Sequence, residues 1–370
     1  MAATCGVPRA ERAAGLTAAV RRACIAAWRA VAARWGATLL LTGSLAAGEG
    51  AWRREAARWR LLGDIDLLIA WPDWRPLPRS GAMAEFTRAI ERRLAAEGIF
   101  AVAPAHAGHA RALRRLPASI WLHDLRAHAQ VLAGPGEVAQ LLPACPAAAI
   151  PAEDGWRLLN NRMAELLETQ AAGGVADDYR LVRLQLAMGA AALVGAGRYT
   201  SGARAQTAAL RRWAAEPGSP PAVSELAAMA ERALAAKFGG VSPCSWPRTQ
   251  PLLYRVWRWQ LERLAAAAKV EASEAGDAEL LRALAAKRPL RQRLRAWAAL
   301  ARRTPLGEWQ RHRPAAIGAS AATPRDRVYA AAAQLLFAPT ATQAEDSMAW
   351  RRAAADTAWA YHRWVEPTRA

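Results

Sequence analysis

The sequence predicts an α+β domain followed by a large all-α helical bundle, and three observations carry that expectation. Up to about residue 135, apolar runs of strand length (Leu39–Leu41, Leu67–Ile69, Ile99–Ala105) alternate with segments of helical period. That alternation fits a mixed sheet with helices packed on it. After Ile150 the strand signals disappear and long Ala/Leu/Arg helices take over. Pro143, Pro146 and Pro151 lie between the two regimes, so the expected domains are 1–145 and 146–370, with a further break in the helical part near 239–249.

Residues 8–35 mix Arg with small and branched apolar residues in a helical period, with Cys24, Ile25, Trp28 and Val31 on one stripe. A strand is expected at 37–42, then the Gly43-Ser44 turn, a short helix and a strand at 64–70. The connection AWRREAARWRLL, 51–62, reads as an amphipathic, Arg-rich turn or two of helix. Pro72, Pro76 and Pro78 mark a loop. The helix over 81–97 places Met83, Phe86, Ile90 and Leu94 at three- and four-residue spacing, and Gly98 suits its stop. Strands are expected near 99–105 and 118–123, and Leu125–Gly134 reads as a short helix leading into a strand-like Val-Leu. Beyond the boundary, helices are expected at 152–171, 176–196, 202–215, 221–237, 250–268, 277–301, 325–337 and 344–364. Pro and Gly clusters at 217–221, 239–247 and 304–307 separate them.

The chemistry concentrates between Thr38 and Trp71. Successive side chains of an extended segment point to opposite faces, so Asp64 and Asp66 share a face while Ile65 points to the other. Two neighbouring carboxylates repel unless a cation lies between them, and a hard ion with oxygen ligands, Mg²⁺ above all, answers that need. Gly43 and Ser44 stand where a buried strand hands over to a helix, a place where glycine lets a ligand come close and backbone N–H groups can meet phosphate. Taken singly, the first pattern is often a solvated strand end and the second only a turn. Together and in this order they describe a site for a nucleoside triphosphate.

The pattern TGS…GDIDLLI resembles the nucleotidyltransferase superfamily typified by DNA polymerase beta, over roughly residues 36–135. The resemblance implies that Gly43 and Ser44 hold the triphosphate and that Asp64 and Asp66 bind two Mg²⁺ ions. It implies transfer of a nucleoside monophosphate from an NTP to a hydroxyl of a small molecule or protein. The runs WRLLNNRMAELLE and DDYRLVRLQLAMGAAALVGAGRY resemble the helical partners appended to bacterial members, and the residues there for nucleotide or acceptor contact are Arg162, Tyr179 and Arg183. Several positions depart from the family pattern. Ala47 stands where Arg is frequent, Gly63 where Ser is frequent, and the connection between the two motifs is long. The family's third carboxylate falls on the following strand, and here Ile99–Ala105 carries no acid; the next acid after a strand-like run is Asp124. A second reading therefore stands beside the enzyme: a weakened nucleotidyltransferase-fold protein that binds nucleotide or a partner without transfer.

The remaining composition narrows the class. The chain has 370 residues, 53% of them hydrophobic, enough for one or two well-buried domains. Four scattered cysteines without metal-ligand spacing, an N-terminus unlike a signal peptide, and no long apolar run point to the cytoplasm and away from a membrane. The net charge of +19 raises nucleic acid as a partner, but the Arg are spread along many expected helices, which favours ordinary solvated faces. The Trp of the C-terminal helices (Trp246, Trp257, Trp259, Trp297, Trp309, Trp350, Trp359 and Trp364) read as packing residues. His123, beside Asp124, could assist proton transfer, although a structural role is the commoner one for such a histidine.

Overall fold

The computed structural model describes residues 9–172, 178–271, 276–302, 322–337 and 348–365. Cys5, Trp309, the cluster at 304–307, the first two residues of the helix expected at 176–196 and the first four of that at 344–364 lie outside them, as does the side chain of Trp364. Two compact units emerge: Met1–Ile150 together with Thr200–Ala205, and Pro151–Tyr199 together with Gln206–Ala370. The first thus carries a short segment far along the chain that no local pattern announces.

The first unit is mixed α and β. Helix α1 (Arg9–Ala27) runs on through a π turn, Trp28–Ala32, and a 3-10 turn, Ala33–Trp35. Strand β1 (Thr38–Leu41) is wholly buried, and α2 (Gly43–Ala46) follows. β4 (Leu67–Trp71), α3 (Ser80–Ala96), β5 (Ile99–Phe100), β6 (Ala105–His109), α4 (Ala110–Leu113), α5 (Ile120–His128), β7 (Gln130–Ala133) and α6 (Val138–Leu141) come later. One sheet has the order β6-β4-β1-β7, with β6 parallel to β4 and the other pairs antiparallel. Its central strands are apolar runs because both faces are covered. Trp28, Trp35, Trp71 and Phe86 meet ring to ring at 5.4–5.9 Å beneath it, which assigns these aromatics to the core.

Three expectations fail here, one of them the strand near 99–105, which is strand only at Ile99–Phe100 and at Ala105, where β6 of the other sheet begins. Residues 51–62 are not helix but a hairpin, β2 (Trp52–Glu55) and β3 (Arg58–Leu61), which pairs with β5 in a second, three-stranded sheet. The period is two: Trp52, Trp59, Leu61 and Ile99 face the core while Arg53, Glu55, Arg58, Arg60 and Phe100 face out. The double Ala at the tip, with Ala56 at φ 52°, hid the turn, because turns usually show Gly, Asn or Asp there. The strand expected at 118–123 is instead the start of α5. Ser119 caps it, its Oγ accepting from the Leu122 N–H at 3.1 Å, and that cap outweighs the strand propensity of Ile120 and Trp121.

The second unit is helical: α7 (Ala152–Ala171), α8 (Asp178–Gly195), α9 (Ala203–Ala214) from Gln206 onward, α10 (Pro221–Lys237), α11 (Trp246–Ala267), α12 (Asp277–Lys287), α13 (Leu290–Ala301), α14 (Pro324–Phe337) and α15 (Met348–Ala360). The expected helix 277–301 is broken at Arg288-Pro289, since the residue before proline avoids the helical region. One core joins Leu159 and Met163 of α7, Met188 of α8, Leu253 and Trp257 of α11, and Val328 of α14. Trp246, Trp257 and Trp350 are buried in it, and Trp259 and Trp359 pack against it. Buried amides are satisfied: Asn160 donates to the Trp156 carbonyl at 2.8 Å and accepts from Trp257 Nε1 at 3.3 Å. Among the described residues no helix is long and apolar enough to cross a membrane.

Candidate functional site

The end of β1 and the approach to β4 are clamped together by one residue. The N–H and the hydroxyl of Thr42 both donate to the carbonyl of Asp66, at 2.9 and 3.0 Å. Gly43 follows in left-handed backbone, φ 67°, the conformation that lets the chain leave the sheet and open α2. A Cβ placed on Gly43 would lie 2.1 Å from Asp66 Oδ2, so the carboxylate sits directly against the glycine. Bend and acid therefore meet.

Asp64–Asp66 lies just ahead of β4 and not within it, yet it is extended and hydrogen-bonded. The N–H of Ile65 donates to the Val102 carbonyl at 2.8 Å and that of Leu67 to the Pro104 carbonyl at 3.1 Å. These bonds carry the parallel β4–β6 pairing back along the chain, setting Asp64 beside Val102 and Asp66 beside Pro104. Ile65 is 0% exposed, Asp64 half-buried and Asp66 exposed, so both carboxylates stand on the solvent side of the segment. Ser44 is half-buried in the first turn of α2, and its carbonyl accepts from the Glu49 N–H at 2.7 Å.

No protein-family model, curated protein or solved structure matches this chain. The geometry of its own residues is what bears on function.

Along β6 and the segment that leads into it, the positions beside the acids and in line with them are Val102, Pro104 and His106, none of them a carboxylate. Asp124, expected at a strand end, lies within α5, where its Oδ1 accepts from the Ser201 hydroxyl at 2.6 Å. His123 Nδ1 lies 2.7 Å from the Cys145 carbonyl, a structural tie between α5 and the segment that ends the unit. Among the described residues no group of three or more His, Cys, Asp and Glu side chains is disposed to hold a metal ion.

Arg162, Tyr179 and Arg183 belong to the second unit, on α7 and α8. Arg162 and Arg183 converge on Glu165, which is 3% exposed; Arg183 is 3.1 Å from its Oε2. Tyr179 is half-buried at the start of α8. Two residues of the first unit escaped the sequence reading. Thr42 carries the clamp, and its signal is a hydroxyl directly before the Gly-Ser bend. Glu49 is 6% exposed and accepts from the backbone N–H groups of Ala203 and Arg204, at 2.8 and 2.9 Å, from a segment 154 residues away.

Proposed function

We propose that the first unit is a Mg²⁺-dependent nucleotidyltransferase that moves a nucleoside monophosphate from an NTP to a hydroxyl acceptor. The observation that carries this reading is the contact of the Asp66 carboxylate with Gly43, which unites the two motifs whose chemistry would otherwise have nothing in common. The residues suit the ion. Two carboxylates on the solvent side of one extended segment supply the hard oxygens that Mg²⁺ takes, and the space that a Cβ at Gly43 would fill belongs instead to one of them.

Asp64 and Asp66 would hold Mg²⁺, which when bound offsets the charge that builds on the leaving pyrophosphate. Gly43, without a side chain, lets the Asp66 carboxylate close against the backbone of the bend, and Ser44 would add a hydroxyl donor to a phosphate. Ile65, locked in the core and bonded to Val102, fixes the spacing of the acids on either side of it. Thr42 holds acids and bend in register, so the unit brings the groups together before any ligand arrives. The free thiols of Cys24, Cys145 and Cys244 support a reducing, cytoplasmic setting.

The test is transfer of label from α-labelled NTP in the presence of Mg²⁺. Asp64→Asn and Asp66→Asn are each expected to abolish transfer and Mg²⁺-dependent nucleotide binding, and undiminished transfer by either variant rejects the assignment. The second reading, nucleotide binding without transfer, is favoured by one observation: β6 and the segment leading into it offer Val102, Pro104 and His106 where a third carboxylate would take the acceptor's proton. Tight Mg²⁺-dependent nucleotide binding with no transfer to any acceptor would select it.

A further inference from the structure

The hairpin that replaces the expected helix turns a scattered set of arginines into a surface. On its outward face Arg53 lies opposite Arg60, which lies opposite Phe100, a row across β2, β3 and β5. Arg58 and Glu55 form the next row, and the Arg58 guanidinium lies over the Phe100 ring, 5.0 Å from its centroid. Three guanidiniums thus stand against one carboxylate, Glu55, which is 2.8 Å from Arg53 and 3.6 Å from Arg60. Phe100 is 43% exposed, a large ring that a protein core would ordinarily cover.

The chain leads from this face to the neighbour of the acids. Phe100 ends β5 and Val102 follows it in the segment before β6; both are exposed while Ile99 and Ala103 are buried, and Val102, 61% exposed, neighbours Asp64. Two residues of chain reach at most about 7 Å and hydrogen-bonded neighbouring segments lie about 5 Å apart, so the backbone of Phe100 lies on the order of 10 Å from that of Asp64. A surface that combines phosphate-pairing guanidiniums with an open aromatic ring has the complementarity of single-stranded nucleic acid, whose charge is regularly spaced and whose bases have uncovered faces.

We infer that the outward face of β2, β3 and Phe100 binds single-stranded nucleic acid and presents its 3′ end to Asp64 and Asp66, so that the acceptor class is a nucleic acid. The acceptor role rests on the nucleotidyltransferase reading; the binding does not. In the transfer, the 3′-hydroxyl oxygen forms a bond to the α-phosphorus of an NTP and the bond from that phosphorus to pyrophosphate breaks. The hydroxyl proton passes to solvent water, and the strand grows by one nucleotide.

Binding of fluorescein-labelled oligouridylate and oligothymidylate, followed by anisotropy in EDTA, tests the surface without the metal. Either probe is expected to bind the whole chain with strong salt dependence. Arg53→Gln with Arg60→Gln should weaken binding about tenfold and lower the slope of log K against log salt by about 1.4, two phosphate contacts at ~0.7 each. Phe100→Ala should cost about tenfold, the scale of one lost base stack. Glu55→Gln, which removes the opposing charge, should tighten binding. All four residues lie on the surface, and circular dichroism confirms that each variant folds. Absence of binding by both probes, or an arginine variant with unchanged affinity and slope, overturns the surface. Addition of labelled NMP to the oligonucleotide 3′ end supports the acceptor role. Binding without such addition, while the chain labels another acceptor, overturns that role and leaves the site reading intact.

Discussion

Glu165 of the helical unit and Asp66 of the sheet unit sit in opposite surroundings. In the helical unit acids are knotted to arginines. Glu165 is buried between Arg162 and Arg183, and Glu153 accepts from Arg157 at 2.9 Å and Arg288 at 3.0 Å. Arg288 continues to Asp326 at 3.1 Å, tying α7 to α14 across the break between α12 and α13. In the sheet unit Asp66 is exposed and lies against a glycine. Burial raises the cost of a carboxylate's charge, and for Glu153 burial is the largest influence on its pKa. Arg157 and Arg288 outweigh it and hold the group below the usual range. Acids of the first kind serve cohesion, whereas Asp66 keeps its carboxylate within reach of solvent. The contrast separates what holds the chain together from what it offers to a ligand.

The sharpest way to break that contrast is Gly43→Ala. The new Cβ must displace the Asp66 carboxylate and must also adopt a left-handed conformation, so a loss of about 3 kcal/mol and of Mg²⁺-dependent nucleotide binding is expected. The same change in an Asp66→Ala background should cost only the backbone strain, about 1 kcal/mol. Equal costs in the two backgrounds, measured by urea denaturation, would mean that acid and bend do not press on each other. Glu165→Ala comes next. It removes the buried carboxylate that two guanidiniums share, for a loss of about 2 kcal/mol in the same assay.

A smaller effect concerns acid. Glu168 is pulled from 4.5 to about 2, first by its hydrogen bond with His362 and then, against the opposing effect of burial, by Arg180. A carboxyl with a depressed folded-state pKa stabilises the fold above its unfolded value. That stability is lost as pH falls through the folded one, here from about 4.5 to about 2. Glu168→Gln should flatten the decline in denaturation midpoint over that window, and an identical acid limb in the variant would remove Glu168 from the account. The smallest effect is chemical. Burial pushes the Cys24 thiol up to about 12, so it should stay unmodified by a thiol reagent at pH 8 in the folded chain and react on unfolding.

Much of the helical unit was legible because its periodicity is long and its punctuation is proline and glycine. The limits of α7 and α10 fall at the residues the sequence suggests. The first unit was legible where strands are buried on both faces, as at Leu39–Leu41, and illegible where a ribbon faces water on one side. In Trp52–Leu61 arginines occupy the outward positions of a period-two pattern, and Arg is equally at home on a helix. Asp124 was misplaced for a related reason, since Ile-Trp-Leu looks like a strand until Ser119 is read as a cap. Of the site, Gly43 and the acid pair could be named from spacing. The double donation of Thr42 and the return of Glu49 to Ala203 and Arg204 depend on contacts that no local pattern encodes.

The segment Thr200–Ala205 gives the chain an unusual wiring. Because it rejoins the first unit after α7 and α8, the polypeptide passes between the units three times, at 150/151, 199/200 and 205/206. After a cut at the first crossing, the piece 1–150 would be held without any covalent link, through contacts such as those of Glu49 and Asp124 with Ser201, Ala203 and Arg204. A nicked protein should therefore travel as one species until it is denatured. A recombinant piece ending at Ile150 would leave Glu49 without the two amides it accepts from and Asp124 without the Ser201 hydroxyl. Gene dissection of this molecule at its most obvious seam would therefore remove part of what it sets out to isolate.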